Sequence, residues 1–360
     1  MNDFKKILLL TSIHSDPKFG TLVGNPETFK LSPDQPQYSI GKTLVEMGHE
    51  VKVITSDNQP KKSERKNVFL GYLNILFRRA KKFYKRFRRN AEIKKVIQAF
   101  EPDIVLCWAN FRGSITFGLS RFKVCHGFKF VLIDGLSPKW RRGNPCLSYL
   151  KIADLVVVNC YANGREYLEF GARKVECLPM SAIESSSALP KSSSQMPEFD
   201  IGFIGSLKGH LYEKRIRVLR ELTGFKLAIW SFDGEDILID HGMQAFYQGS
   251  ISRSRCHSAY QRCSMVLNIH GKHMPDGGNL STFEIPESGT LQIVDHFHED
   301  WFQDGREILS YRSIADLKQK VTYFLEHFEE ANTIAKAGAQ RVIKDHRFED
   351  RINKLFHLLE

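Results

Sequence analysis

The sequence predicts an α/β protein of two doubly wound, Rossmann-like domains, and three observations carry that expectation. Its 360 residues exceed one ordinary compact core, so two domains of about 150–180 residues are expected. Short apolar strands alternate with helical segments over residues 5–180 and again over 199–340, the pattern of parallel sheets covered on both faces. Between the two sets lies SAIESSSALPKSSSQMPE (181–198), Ser- and Pro-rich and without periodicity, which places a linker at 183–198.

The first domain, 1–182, opens with an apolar strand over Lys6–Ser12. A loop holding Gly20, Gly24, Pro26, Pro33 and Pro36 precedes a helix over Tyr38–Met47, and Gly48-His49-Glu50 turns into a strand over Val51–Thr55. Basic residues precede the first apolar stretch, but that stretch is short and no small-residue cleavage site follows, so a buried strand is expected rather than a leader. No run is apolar for long enough to cross a bilayer. Seven cysteines are scattered singly without CxxC spacing, which predicts reduced thiols in a cytoplasmic protein, with no disulfide framework and no structural zinc.

Residues 61–95 hold the charge anomaly. They carry 14 Lys or Arg against 2 acids, a charge of +12, while the whole chain is +11, so the remaining residues sum to −1. Within them Phe69, Leu73, Leu76, Ala80, Phe83 and Phe87 recur at steps of four and three, one face of a helix. Such a helix fits an anionic membrane surface on the cytoplasmic face, or packs as a crossover helix with a solvated basic face. Nucleic acid is not expected, because no reading module or stacking platform accompanies the charges.

From Pro102 the alternation resumes, with strands over Ile104–Trp108, Phe130–Ile133, Leu155–Asn159 and Val175–Leu178. Helices are expected over Ser114–Leu119, Pro145–Ala153 and Asn163–Phe170. Asp134 stands at the carboxyl end of a strand, where ligands of open parallel sheets sit, and before Gly135, where a turn aspartate is equally at home. No His pair has ligand spacing for a metal.

The second domain, 199–340, begins with a strand over Asp200–Gly205, the turn Ser206-Leu207-Lys208-Gly209, a basic helix over Tyr212–Leu222 and a strand over Lys226–Trp230. A helix over Arg255–Cys263 and a strand over Met265–Ile269 lead into LNIHGKHMPDGGNLSTFEIPESGT, residues 267–290. This reads as strand, turn at Asp276-Gly277-Gly278-Asn279, and helix over Thr282–Glu287 that Gly289 ends. Two glycines at a strand-to-helix turn leave amide groups open to an anion, and carboxylates at Asp276 and Glu284 accept from sugar hydroxyls. A strand over Gln292–Asp295 and helices over Ile314–His327, Glu329–Ala339 and Asp345–Glu360 complete the chain, 341–360 crossing back to the first domain.

Asp276-Gly-Gly-Asn-Leu-Ser-Thr-Phe-Glu284 resembles the E-x7-E segment of the group 1, family-4-like GT-B glycosyltransferases, which use nucleotide-sugar donors, with Asp in place of the first Glu. FEIPESGT is similar to the variant in the CgeB-like (spore maturation protein) branch, with Ser281 where that branch has Arg. LVEMGHEVKVIT, FIGSLKG with Lys214-Arg215, and the tail from Ile314 resemble other segments of the class, Ser206 standing where its first phosphate-loop Arg lies. The resemblance implies a GT-B fold, two Rossmann-like domains facing across a cleft. It also implies that Asp276 with Gly277, Gly278 and Asn279 meets the sugar and diphosphate, and that Glu284 meets the ribose. Lys208, Lys214 and Arg215, with Ser206, are then the diphosphate side, Asp134 aligns with a sugar-contacting His, and Phe19, Gly20, Gly24 and Asn25 form the acceptor side.

The expected function is transfer of a sugar from a nucleotide diphosphate sugar to a glycan, lipid-linked or protein acceptor. Asp134 and Asp276 are the expected catalytic acids. Kinship implies retention of configuration; no metal and no cofactor beyond the donor is expected, because helix dipole, amides and Arg215 carry the leaving charge. Two rivals remain: a non-catalytic nucleotide- or polyanion-binding shell, and a sugar-nucleotide epimerase or hydrolase on the same fold.

Overall fold

The computed structural model describes residues 4–13, 21–23, 36–57, 91, 93–109, 122–141, 145–179, 181 and 197–360. Among them, the first sheet holds β1 (Lys6–Ile13), β2 (Thr21–Val23), β3 (Glu50–Asp57), β4 (Ile104–Trp108), β5 (Lys129–Asp134), β6 (Leu155–Val158) and β7 (Val175–Cys177). Their order is β2-β3-β1-β4-β5-β6-β7, parallel except for β2, which runs antiparallel on β3. The second sheet is β12-β11-β10-β8-β9, all parallel, from β8 (Phe199–Ile204), β9 (Leu227–Trp230), β10 (Cys263–Asn268), β11 (Leu291–Val294) and β12 (Leu309–Ser310).

Continuous apolar runs such as Ile104–Trp108 are buried at every position, as strands covered on both faces must be. Leu8, Leu10, Val105, Phe130 and Tyr149 fill one face of the first sheet, and Ile7, Leu9, Leu106, Ile133 and Val157 the other. The helix Pro36–Glu46 ends where Gly48 takes φ +88°, and the amides of Gly48 and His49 return to the carbonyls of Val45 and Leu44. The expected helix over Pro145–Ala153 is instead a 3-10 turn sequence at Pro145–Lys151. The helices expected over Glu329–Ala339 and Asp345–Glu360 run Phe328–Asp345 and Phe348–Leu359, divided at His346-Arg347.

That last helix lies on the first sheet. Phe348, Ile352, Leu355, Phe356 and Leu359, spaced on one face, are buried against Leu9, Leu106 and Ile133. At its start the carboxylate of Asp350 accepts from the Arg347 amide, and the hydroxyl of Ser181 donates to the His346 carbonyl. The acceptor-side residues Phe19, Gly20, Gly24 and Asn25 lie outside the described residues, as do helix Ser114–Leu119, residues 182–196, and all of 61–95 except 91 and 93–95.

Ile352→Ala removes apolar volume from the junction of that helix with the sheet, so the unfolding free energy should fall by about 2–4 kcal/mol in urea titration. A fall below about 1 kcal/mol would mean that the helix contributes little to the first domain.

Candidate functional site

In the second sheet β8 is followed by β9 on one side and by β10 on the other, so strand order reverses between β8 and β10. Ligands of open parallel sheets occupy the crevice beyond such a reversal, at the carboxyl ends of the strands. Arg215, on the helix Glu213–Arg220, closes this point from within. Its Nε donates to the Ile269 carbonyl after β10 at 2.9 Å, and its Nη1 to the Ser206 carbonyl after β8 at 2.7 Å. The guanidinium lies over the Tyr212 ring at 4.4 Å and is only 6% exposed; burial pushes it down to about 10. Arg215, a sequence candidate for neutralising the diphosphate, ties the two strand ends together, because the helix register turns it inward.

Lys214, its neighbour, reaches Asp295 beyond β11, with Nζ 2.7 Å from Oδ2. The other oxygen, Oδ1, lies 2.7 Å from His270 Nδ1 and 3.4 Å from His296 Nδ1. Asp295 is buried, which alone would raise its carboxyl, but His270, His296 and Lys214 outweigh burial and hold it well below the usual carboxylate range. His270 Nε2 faces the Thr282 hydroxyl at 3.2 Å. Three ligand-type atoms of His270, Asp295 and His296 lie within 4.8 Å of one another, but Lys214 on Asp295 sets a positive charge against a cation there. Lys208 is exposed on the turn after β8.

The loop after β10 docks on the first domain. Gly277 pairs with Cys160 as an isolated antiparallel bridge, and a Cβ on it would stand 2.4 Å from the Asn159 carbonyl oxygen. Gly278 donates its amide to that same oxygen at 2.9 Å. The sequence reading left both amides bare for an anion; at Gly278 the amide is occupied by protein, because the backbone of the first domain comes this close. Asp276 crosses the same seam. Its Oδ1 accepts from the Ala162 amide at 2.8 Å and the Cys160 thiol at 2.9 Å, and its Oδ2 from Arg165 at 3.0 Å. Burial raises its carboxyl, yet these bonds together hold it below the ordinary value.

Asn279 opens the helix Ser281–Glu287 by accepting from the Thr282 amide at 2.9 Å, and exchanges amide bonds with Asn268 at 2.9 and 3.2 Å. Asn268 also donates to Gln292 Oε1 at 3.2 Å, so a buried polar chain runs from the glycine turn to β11. Glu284 is buried on the same helix. Arg253 Nε and Nη2 both donate to its Oε1, at 2.9 and 2.8 Å, and none of the described hydrogen bonds falls on its Oε2.

Across the seam, Asp134 is buried at the end of β5, accepting from the Tyr167 hydroxyl at 2.6 Å and the Leu136 amide at 3.0 Å. Beyond it Trp140, half exposed, stacks on His210 of the second domain at 5.6 Å between centroids. Sequence reasoning missed Arg165, Arg253, His270, Asp295 and His296. His270 and Asp295 were within its reach, since each follows the carboxyl end of a strand beside the reversal.

Two family models match the chain, Glycosyltransferase Family 4 over residues 38–180 and Glycosyl transferase-like over residues 210–357. None of the curated proteins matches it. Solved structures match it end to end at low identity. Anabaena HepE in complex with UDP and glucose is 14% identical over 99% of each chain, with a TM-score of 0.62. Sucrose-phosphate synthase from Thermosynechococcus elongatus is 13% identical over 99% of each chain, with a TM-score of 0.66. A glycosyltransferase from Rickettsia africae is 12% identical over 100% of each, with a TM-score of 0.62. A glycosyltransferase model thus matches part of each sheet's domain, and the likeness to the solved structures across the whole length gives the chain the two-domain GT-B fold.

Proposed function

We propose that the chain transfers a sugar from a nucleotide diphosphate sugar, bound by the second domain, to an acceptor presented by the first. The observation that carries this reading is Glu284: a buried carboxylate, one oxygen fixed by Arg253 and the other without a described partner, in the helix after the glycine turn. A carboxylate so oriented accepts from ribose hydroxyls. HepE, solved with UDP and with UDP-glucose, supports this donor class.

In this reading the diphosphate lies over the strand ends that Arg215 ties together. Arg215 reaches the Ser206 carbonyl from the helix, which sets a cation near the place where relatives carry Arg on the loop. Lys208 and Lys214 both precede it in sequence. Charge on the departing diphosphate grows in the transition state, so preorganised cations act most strongly at that moment and no metal is required of the mechanism. Asp276 and Asp134 remain the acids of the sugar side. Asp276 would exchange its bond from exposed Arg165 for one from a sugar hydroxyl as the domains move, and Asp134, held by Tyr167, would act through position more than through proton transfer. Retention of configuration, the CgeB-like branch and docking of residues 61–95 on an anionic membrane that presents a lipid-linked acceptor complete the reading.

Glu284→Gln keeps the oxygen that Arg253 requires, whereas Glu284→Ala would strand a buried guanidinium. The Gln variant should melt near the wild type and lose about tenfold in nucleotide affinity by calorimetry, the worth of roughly one charged hydrogen bond. Equal affinity in a folded variant would remove Glu284 from the donor site.

Lys214→Met should lower kcat about tenfold or more with little change in KM, because Asp295 keeps its histidine partners while the developing phosphate charge loses a cation. Wild-type turnover would displace the diphosphate from this end of the sheet.

Replacement of Arg78, Arg79, Lys81, Lys82, Lys85, Arg86, Arg88 and Arg89 by Gln should abolish co-sedimentation with anionic vesicles and spare nucleotide binding. Each cation near such a surface contributes about 1 kcal/mol, screened by salt. A wild type that ignores these vesicles at low salt would end the membrane reading.

A further inference from the structure

Two imidazole nitrogens near the strand reversal, His273 Nδ1 and His296 Nε2, are buried and have no hydrogen-bond partner. Buried polar atoms of folded proteins are ordinarily paired, and an orphaned pair beside a crevice calls for a ligand or a proton. His296 contacts Asp295, and His273 lies within electrostatic range of Arg215 and His270. His296 lies tilted against His270 with centroids 4.1 Å apart, and His273 packs edge-on against Tyr212 at 6.1 Å. His273 also closes over Gly271, where an added Cβ would stand 2.7 Å from its Nδ1.

The charge around this shell is lopsided. Lys214 and Arg215 come from the helix after β8, and Asp233 from the turn after β9 is in range of Arg215. His270 and His273 come from the loop after β10, Asp295 and His296 from the end of β11, and the Tyr311 phenol from beyond β12 is in range of Asp295. One carboxylate with a buried side chain, Asp295, therefore faces Lys214, Arg215, His270 and His296, with His273 beside Arg215 and His270 and with Asp233 in range of Arg215. Burial, then Arg215 and His270, lowers the His273 imidazole, and burial with His270 and Lys214 pushes His296 down to about 4 against Asp295 and the Met274 backbone, which act the other way.

We infer that His273 and His296 are anion-binding residues of the donor pocket, which take up protons when a diphosphate enters and so complete a cationic cradle that is partly discharged in the free protein. The inference rests on the donor reading above for the identity of the anion. Its physics is linkage. A dianion beside an imidazole stabilises the protonated ring, so the ring gains a proton on binding, and by reciprocity affinity rises as pH falls through the raised bound-state pKa and levels off below the free-state one. Uncharged His273 and His296 rings in the free protein spare the fold their repulsion with Lys214 and Arg215.

The test is calorimetric titration with UDP-, GDP-, ADP- and TDP-glucose, and separately with sodium sulfate, in buffers of different ionisation enthalpy at about pH 7. The phosphodiesters and sulfate do not titrate there, so buffer-dependent heat reports protein protonation. A nucleotide sugar should bind with proton uptake and tighten about threefold to tenfold per unit fall in pH, tenfold being the limit for one whole proton. His296→Gln and His273→Gln, made singly, should each reduce the uptake and flatten the pH dependence. A nucleotide sugar that binds the wild type without buffer-dependent heat would overturn the inference and leave the donor reading standing. Sulfate bound with proton uptake, while no nucleotide sugar binds, would sustain the anion site and overturn the donor reading. Failure of every ligand to bind would overturn both.

Discussion

Gly277 lies so close to the first domain that a methyl group in place of its hydrogen would stand 2.4 Å from the Asn159 carbonyl oxygen, and the placement of the site depends on that approach. With the backbones in contact, Gly278 can donate to the same carbonyl and Asp276 can reach the first amides of the helix Tyr161–Glu169. The loop that leaves β10 is thereby fixed at both ends: to the first domain at 276–278, and to its own helix by the Asn279 cap. Glu284 follows in the first turn of that helix, and its orientation inherits from that anchoring. The seam joins a polar, partly exposed edge, where Arg165 reaches Asp276, to apolar packing of Tyr161 and Cys177 on the cluster around Trp301 and Phe283.

Beneath the loop, the strand reversal between β8 and β10 concentrates positive charge. Arg215 ties Ser206 to Ile269, and Asp295 gathers Lys214, His270 and His296. An ion network of this kind, buried and hydrogen-bonded, holds the strand ends rigid while leaving the crevice above it favourable to an anion. A leaving diphosphate needs both properties, since donors that need not reorganise stabilise its developing charge most effectively.

Much of the fold was legible in the sequence, because apolar strands such as Ile104–Trp108 and Cys263–Asn268 are buried on both faces and so read as continuous runs. The strands β2 and β12, of three and two residues, are too short to leave a pattern. At the site, Asp276 and Glu284 were found because they flank a glycine turn, but their partners were not. Arg165 is 111 residues from Asp276 and Arg253 is 31 from Glu284, distances at which spacing carries no signal. Asp295 and His270, 25 residues apart, meet only because β10 and β11 are neighbours. Nor can a sequence tell a glycine that admits a phosphate from one that admits another backbone. Gly277, expected at the diphosphate, is held against the Asn159 carbonyl of the first domain.

The central claim is that the second domain is a nucleotide-sugar site, and thermal melting across UDP-, GDP-, ADP- and TDP-sugars tests it most directly. Binding to the folded state raises its stability by about 2.7 kcal/mol at a hundredfold excess over Kd, which moves the melting temperature by several degrees. The account predicts such a rise for the sugars of one base, reduced in Glu284→Gln. No rise with any of them at about millimolar ligand, far above ordinary donor affinities, would contradict it.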